Sequence, residues 1–92
     1  MRQEAAELIA LKVLAWLAGD EEVFPVFLGA SGMDAAELKA RAAEPEVLAA
    51  VLDFVTMDDA WVESCAMATG LDPHDPLRAR QALPGGETIH WT

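Results

Sequence analysis

A single cysteine, Cys65, leaves the chain without the means to form an internal disulfide, which agrees with a reducing compartment. Histidine is almost as scarce. His74 and His90 do not stand with Cys65 at the close, recurring spacing that zinc sites require, so no metal site is expected. Long hydrophobic runs are missing as well. The longest, Leu8 to Ala18, covers 11 residues and is interrupted by Lys12, whereas a membrane-spanning helix needs about 20. Glu4 and Glu7 precede it where a signal peptide would carry positive charge, and no small-residue cleavage site follows. The expectation is a cytoplasmic protein with no membrane role.

Positive charge is the next scarcity. Six basic residues face sixteen acidic ones, a net charge of −10. That field repels phosphate backbones and anionic membrane surfaces, so nucleic acid is not an expected partner. A helix-turn-helix reading of residues 30–43 fails for the same reason. The acids either keep a small domain soluble or attract a basic partner. Glycine never forms a phosphate-binding loop with a following lysine, which leaves nucleotide binding without support. No cofactor is expected.

What the chain does have is apolar residues, 53% of the total, with alanine about a fifth. Few residues are β-branched, so local propensity favours helices between the breakers. The fold class expected is all-α, a compact bundle of about six short helices. Gly19 and Asp20 close helix 1 and cap helix 2, with Glu21 and Glu22 where the helix dipole favours negative charge. Helix 1 carries Leu8, Leu11, Leu14 and Ala18 on one flank and Ile9, Val13, Trp16 and Leu17 on another. It reads as a central helix buried on several sides.

Pro25 should break or kink a helix that began at Glu21, and a turn followed by a short helix from Pro25 is equally open. Asp34 and Glu37 have capping-box spacing, and Met33 and Leu38 that of a hydrophobic staple, so helix 3 starts there and stops before Pro45. Pro45 opens helix 4, whose Val47, Leu48, Val51, Leu52 and Val55 share one face. Asp58 caps helix 5, which ends at Gly70. Leu71, Asp72, Pro73 and Asp75 then start helix 6, which runs to about Leu83 before Pro84, Gly85 and Gly86.

A shift of 38 residues sets the chain against itself. Val13 meets Val51, Leu14 meets Leu52, Trp16 meets Phe54, Asp20 meets Asp58, Gly32 meets Gly70 and Asp34 meets Asp72. One inserted residue near Pro76 then brings Leu38-Lys39-Ala40-Arg41 against Leu77-Arg78-Ala79-Arg80. The reading is one domain over residues 1–86, built of two three-helix repeats, about 8–45 and about 46–84, with an approximate internal two-fold axis. Residues 87–92 form a tail.

Few side chains suggest chemistry. Cys65 lies on an apolar face and reads as a small buried hydrophobe rather than a nucleophile, since both histidines lie outside the regular part of helix 5. Asp72 and Asp75 have a sufficient role in starting helix 6 without a metal. Lys39, Arg41, Arg78 and Arg80 sit near the C-terminal ends of equivalent helices, where the dipole favours cations; an anion site between the repeats is the alternative. Most aromatic residues occur at helical spacing with other apolar groups and read as core. Trp91 follows a glycine pair and either folds back on the bundle or offers an apolar hook. The candidate partner-binding residues are Asp20, Glu21, Glu22, Asp58, Asp59 and Trp91.

The segments Leu14-Ala15-Trp16-Leu17-Ala18, Ala30-Ser31-Gly32-Met33-Asp34, Val51-Leu52-Asp53-Phe54 and Ala68-Thr69-Gly70-Leu71-Asp72-Pro73 resemble a family of small helical proteins of alphaproteobacteria, grouped as the domain of unknown function DUF3572. The resemblance spans residues from about 5 to 86 and rests on the order of helix-boundary motifs. It implies a bacterial cytoplasmic protein and brings no activity, cofactor or catalytic residue. Genes of the family often lie near response-regulator genes, a pointer toward signalling. The function expected is a non-enzymatic protein–protein interaction module with a basic or amphipathic protein partner. A structural or homo-oligomeric role is the alternative, and an uncharacterised enzyme the next.

Overall fold

Several helix boundaries follow local capping chemistry. The computed structural model describes residues 1–84 and contains, among them, six α-helices and no strand. They are α1 (Gln3–Ala18), α2 (Val23–Ser31), α3 (Ala35–Ala40), α4 (Pro45–Val55), α5 (Asp59–Thr69) and α6 (Asp75–Ala82). Asp34 Oδ1 accepts the Glu37 N–H at 2.7 Å, satisfying one of the free donors of α3. Leu38 is buried and Met33 partly so, as a staple requires. Glu37 does not return the second half of the capping box; its carboxylate is held by Arg41 at 3.3 Å.

Pro25 neither breaks α2 nor begins it. The chain turns through Glu21 and Glu22, whose closure is fixed by Asp20 Oδ1 accepting the N–H groups of Glu22 and Val23, both at 2.9 Å. The helix starts at Val23, which places Pro25 in its first turn. There the missing N–H is one that a helix start leaves unbonded anyway, so proline costs nothing in hydrogen bonds. At the other end, Gly32 and Gly70 take left-handed conformations with φ of 75° and 79°. A side chain would strain that turn.

The core is built mainly on α1 and α4. Val47, Leu48, Val51, Leu52 and Val55 are all buried, as their spacing requires, and Val13, Leu17, Phe27 and Leu38 complete the interior. α1 packs against α4, α5 and α6, so it is the central helix. It is not buried all round. Leu8 is 63% and Leu11 41% exposed, and Lys12, Ala15 and Ala18 share their open face. The other five helices described are too short to cover every side of a sixteen-residue helix. Its buried face is carried by Ala6, Ala10, Val13, Leu14 and Leu17.

The local signals recur at the 38-residue shift, down to single hydrogen bonds. Ser31 and Thr69 each accept the N–H two residues ahead with the side-chain oxygen, both at 3.3 Å. Asp20 and Asp58 cap the equivalent N–H pairs. Packing does not recur pair for pair. α1 lies closely along α6, where Ala6, Ala10 and Ala79 have no exposed surface, but α3 makes no comparable contact with α4. Small side chains at a crossing let two helices approach. The first turn of α1 has no counterpart in α4, because Pro45 aligns with Glu7.

Candidate functional site

Capping accounts for two of the five acidic residues at the paired helix starts. Asp58 Oδ1 accepts the N–H groups of Ala60 at 2.8 Å and Trp61 at 3.2 Å, as Asp20 does at α2. Glu21, Glu22 and Asp59 remain. All three are exposed, and none joins an ion pair among the described residues. Trp91 lies outside the described residues.

Three of the six basic side chains are engaged by carboxylates. Arg41 spans Glu44 at 3.1 Å and Glu37 at 3.3 Å, and the hydrogen bond and charge of Glu44 push its guanidinium above the usual value. Arg78 approaches Asp75 at 3.9 Å. Arg80 Nε donates to Asp53 Oδ1 at 2.6 Å, joining α6 to α4, and its Nη1 donates to the Pro84 carbonyl at 3.4 Å. With Arg41, Arg78 and Arg80 occupied and only Lys39 of the four outside an ion pair, the described residues assemble no set of donors for an anion site between the repeats.

Asp72 and His74 stay local. Asp72 Oδ1 accepts the His74 N–H at 2.8 Å and lies 3.0 Å from the ring nitrogen, which holds the carboxyl below its ordinary range. Any contribution of this turn to stability is present at neutral pH and lost as pH falls through the lowered value. Among the described residues, no group of three or more His, Cys, Asp or Glu side chains could hold a metal ion.

Cys65 has no exposed surface. Burial pushes its thiol up, with a smaller opposing effect from Thr69, so the thiolate is scarce at neutral pH. Labelling with a thiol reagent is expected to be slow in the folded protein and fast in denaturant. Comparable rates in both states would show an accessible thiol.

Two surface clefts were not anticipated. The first lies between α2 and α4 and is lined by Phe27, Ala30, Ser31, Ala50, Asp53, Phe54 and Met57. Phe27 and Phe54 meet edge to face at 5.3 Å, and Phe54 stacks on Trp61 at 4.8 Å. Its volume of about 270 Å³ falls below the usual range for small-molecule pockets and suits a few side chains better. The second cleft lies between α1 and α5, lined by Lys12, Ala15, Trp16, Ala68 and Thr69. Each of its residues is the 38-residue partner of one in the first: Lys12 of Ala50, Ala15 of Asp53, Trp16 of Phe54, Ala68 of Ala30 and Thr69 of Ser31. The aligned Trp16 and Phe54 were a usable signal, but aromatic residues at helical spacing read first as core.

Fold and surface together describe a small, acidic domain that is all-α among the described residues, with capping hydrogen bonds that recur at the 38-residue shift and two open clefts with largely apolar linings. The chain belongs to the family described as protein of unknown function DUF3572, which it matches over residues 3–86. No curated protein and no solved structure matches it. Among the described residues, no helix is long and apolar enough to cross a membrane.

Proposed function

We propose that the chain is a non-enzymatic protein-interaction module that recruits a basic or amphipathic partner. The observation that carries this reading is the set of exposed carboxylates, Glu21, Glu22 and Asp59, which have no ion-pair partner among the described residues and stand beside two capped helix starts on a chain of net charge −10. Unpaired surface charge of one sign steers an oppositely charged partner and speeds its association. Asp20 and Asp58 contribute charge to the same two places while their oxygens hold the helix N–H groups.

A charge-only variant separates recruitment from capping. Asparagine caps nearly as well as aspartate. Asp20→Asn, Asp58→Asn, Glu22→Gln and Asp59→Asn together should therefore keep helicity by circular dichroism while removing four negative charges. With a partner captured from the source cell, binding should weaken and lose salt sensitivity, mainly through slower association. Binding unchanged across a salt series would leave capping as the whole role of these residues.

A second reading, self-association, is favoured by the open face of α1. Leu8, Leu11, Ala15 and Ala18 recur there at spacings of three and four, the pattern of a coiled-coil seam. Concentration-dependent sedimentation abolished by Leu8→Lys would support that reading over a separate partner.

A further inference from the structure

We infer that the cleft between α2 and α4 seats one amphipathic helix bearing lysine or arginine along its edge, and that the equivalent cleft between α1 and α5 does not. This rests on the interaction reading above and gives it a place and a polarity. α2 carries no charged side chain over its nine residues, Val23–Ser31. Its outer face shows Val26, 51% exposed, beside Ala30, and Met57 stands 72% exposed at the far lip. Phe27 and Phe54 form the floor. An apolar floor with a methionine rim is the surface on which a helix lays anchors spaced by three and four residues.

A strand is a poor occupant. Strand addition needs a free sheet edge, and the described residues contain no strand, while the N–H and C=O groups of α2 and α4 are consumed within their own helices. Charge then sets the edge of the visitor. No lysine or arginine lines this cleft, and its one ionised lining residue is Asp53. Arg80 engages only Oδ1 of that carboxylate, which remains 58% exposed, and Oδ2 has no donor among the described residues. Asp58 and Asp59 follow Met57 directly in the chain. A basic edge therefore meets acid along this lip.

The equivalent cleft reverses these features. Lys12 replaces Ala50, Ala15 replaces Asp53, and the position of Met57 falls to Gly19. A lysine-edged helix meets a like charge there and finds no methionine to cover it. The molecule thus holds its own control.

The test uses the full chain and two synthetic amphipathic helical peptides of the same leucine pattern, one with lysine and one with glutamate at the polar positions. Binding is read from the anisotropy of a fluorescent label on each peptide, since Trp16 lines the other cleft and intrinsic emission would not separate the two. The lysine peptide should bind, and Ala50→Lys, which copies the other cleft, should weaken it by about tenfold or more, a typical effect of losing one desolvated charge match. Met57→Lys, at an exposed position that folding does not depend on, should act in the same direction. Lys12→Ala should leave affinity unchanged. Equal binding of the glutamate peptide, or indifference to both Ala50→Lys and Met57→Lys in variants that keep their helicity, overturns the inference.

Two further outcomes also overturn it. A dimer that Ala50→Lys dissociates would make a second copy the occupant. Peptide affinity that rises when residues 85–92 are removed would make the occupant a segment of the same chain. A captured partner that is weakened by the charge-only variant but not by Ala50→Lys removes this seat while leaving the interaction reading in place.

Discussion

Truncation of Leu52 to alanine is expected to cost about 2–5 kcal/mol, the range for deleting a buried leucine side chain from a packed core. Leu52 has no exposed surface, and its helix packs against α1, α2 and α6. For a domain of this size each kcal/mol lowers the melting temperature by about 4–8 °C. A fall of at least about 8 °C is therefore expected by calorimetry. The contrasting change is Leu8→Ala. Leu8 is 63% exposed, so its loss should stay within about 0.5 kcal/mol, as for other surface sites. Equal losses at the two leucines would mean that α1 is covered on its outer face, by a second copy or otherwise.

Phe54→Ala should be as damaging, at about 3–5 kcal/mol, because a buried aromatic ring removes both area and ring contacts. Phe54 is 6% exposed, lies edge-on to Phe27 and stacks on Trp61. The second effect is optical. Trp61 loses the ring that covers one of its faces, so its emission should move toward that of a solvated indole in a difference spectrum against wild type. Phe54→Leu separates packing from ring chemistry, since it retains most of the buried volume and should recover much of the stability but not the spectrum. A Phe54→Ala variant with native melting and native emission would show that the α2, α4 and α5 junction does not depend on this ring.

Punctuation was the most legible part of the fold. Asp34, Pro45, Asp58 and Gly70 each act within a few residues, through hydrogen bonds or φ restrictions that depend on the local chain alone. Their helix ends were therefore readable without any tertiary knowledge. Pro25 misled because its effect depends on position: a proline two residues later in α2 would have removed a needed hydrogen bond, whereas in the first turn it removes none. The amphipathic face of α4 was read correctly because one side of that helix is charged or small. α1 was not, because leucines on both flanks gave no sign of which flank would find neighbours.

The candidate site was legible only in its charges. Asp20 and Asp58 were recognised as caps and Glu21, Glu22 and Asp59 as surface acids from spacing alone. Trp91 lies outside the described residues. The clefts were not legible, since a cleft is the gap between helices that are distant in sequence: Ala30 and Ala50 meet across one, Ala15 and Ala68 across the other. The 38-residue repeat would have paired these positions across the two units, but nothing in a repeat says which pairs face open water.

The close contact of α1 with α6 has a consequence for how the chain comes to be made. α1 packs closely on α6, the last helix described, so that pairing cannot form until α6 has been synthesised. Local helices can form as they emerge, but the cooperative core cannot close until nearly the whole domain is present, and closing a loop of that length delays the final step. The same geometry brings Met1 beside Arg78, Gln81 and Ala82. A circular permutant in which a flexible linker leads from the end of α6 back to Met1, and which opens at the α3–α4 turn, would make the pairing of α6 with α1 local in sequence and is expected to refold faster than the natural order in stopped-flow measurements.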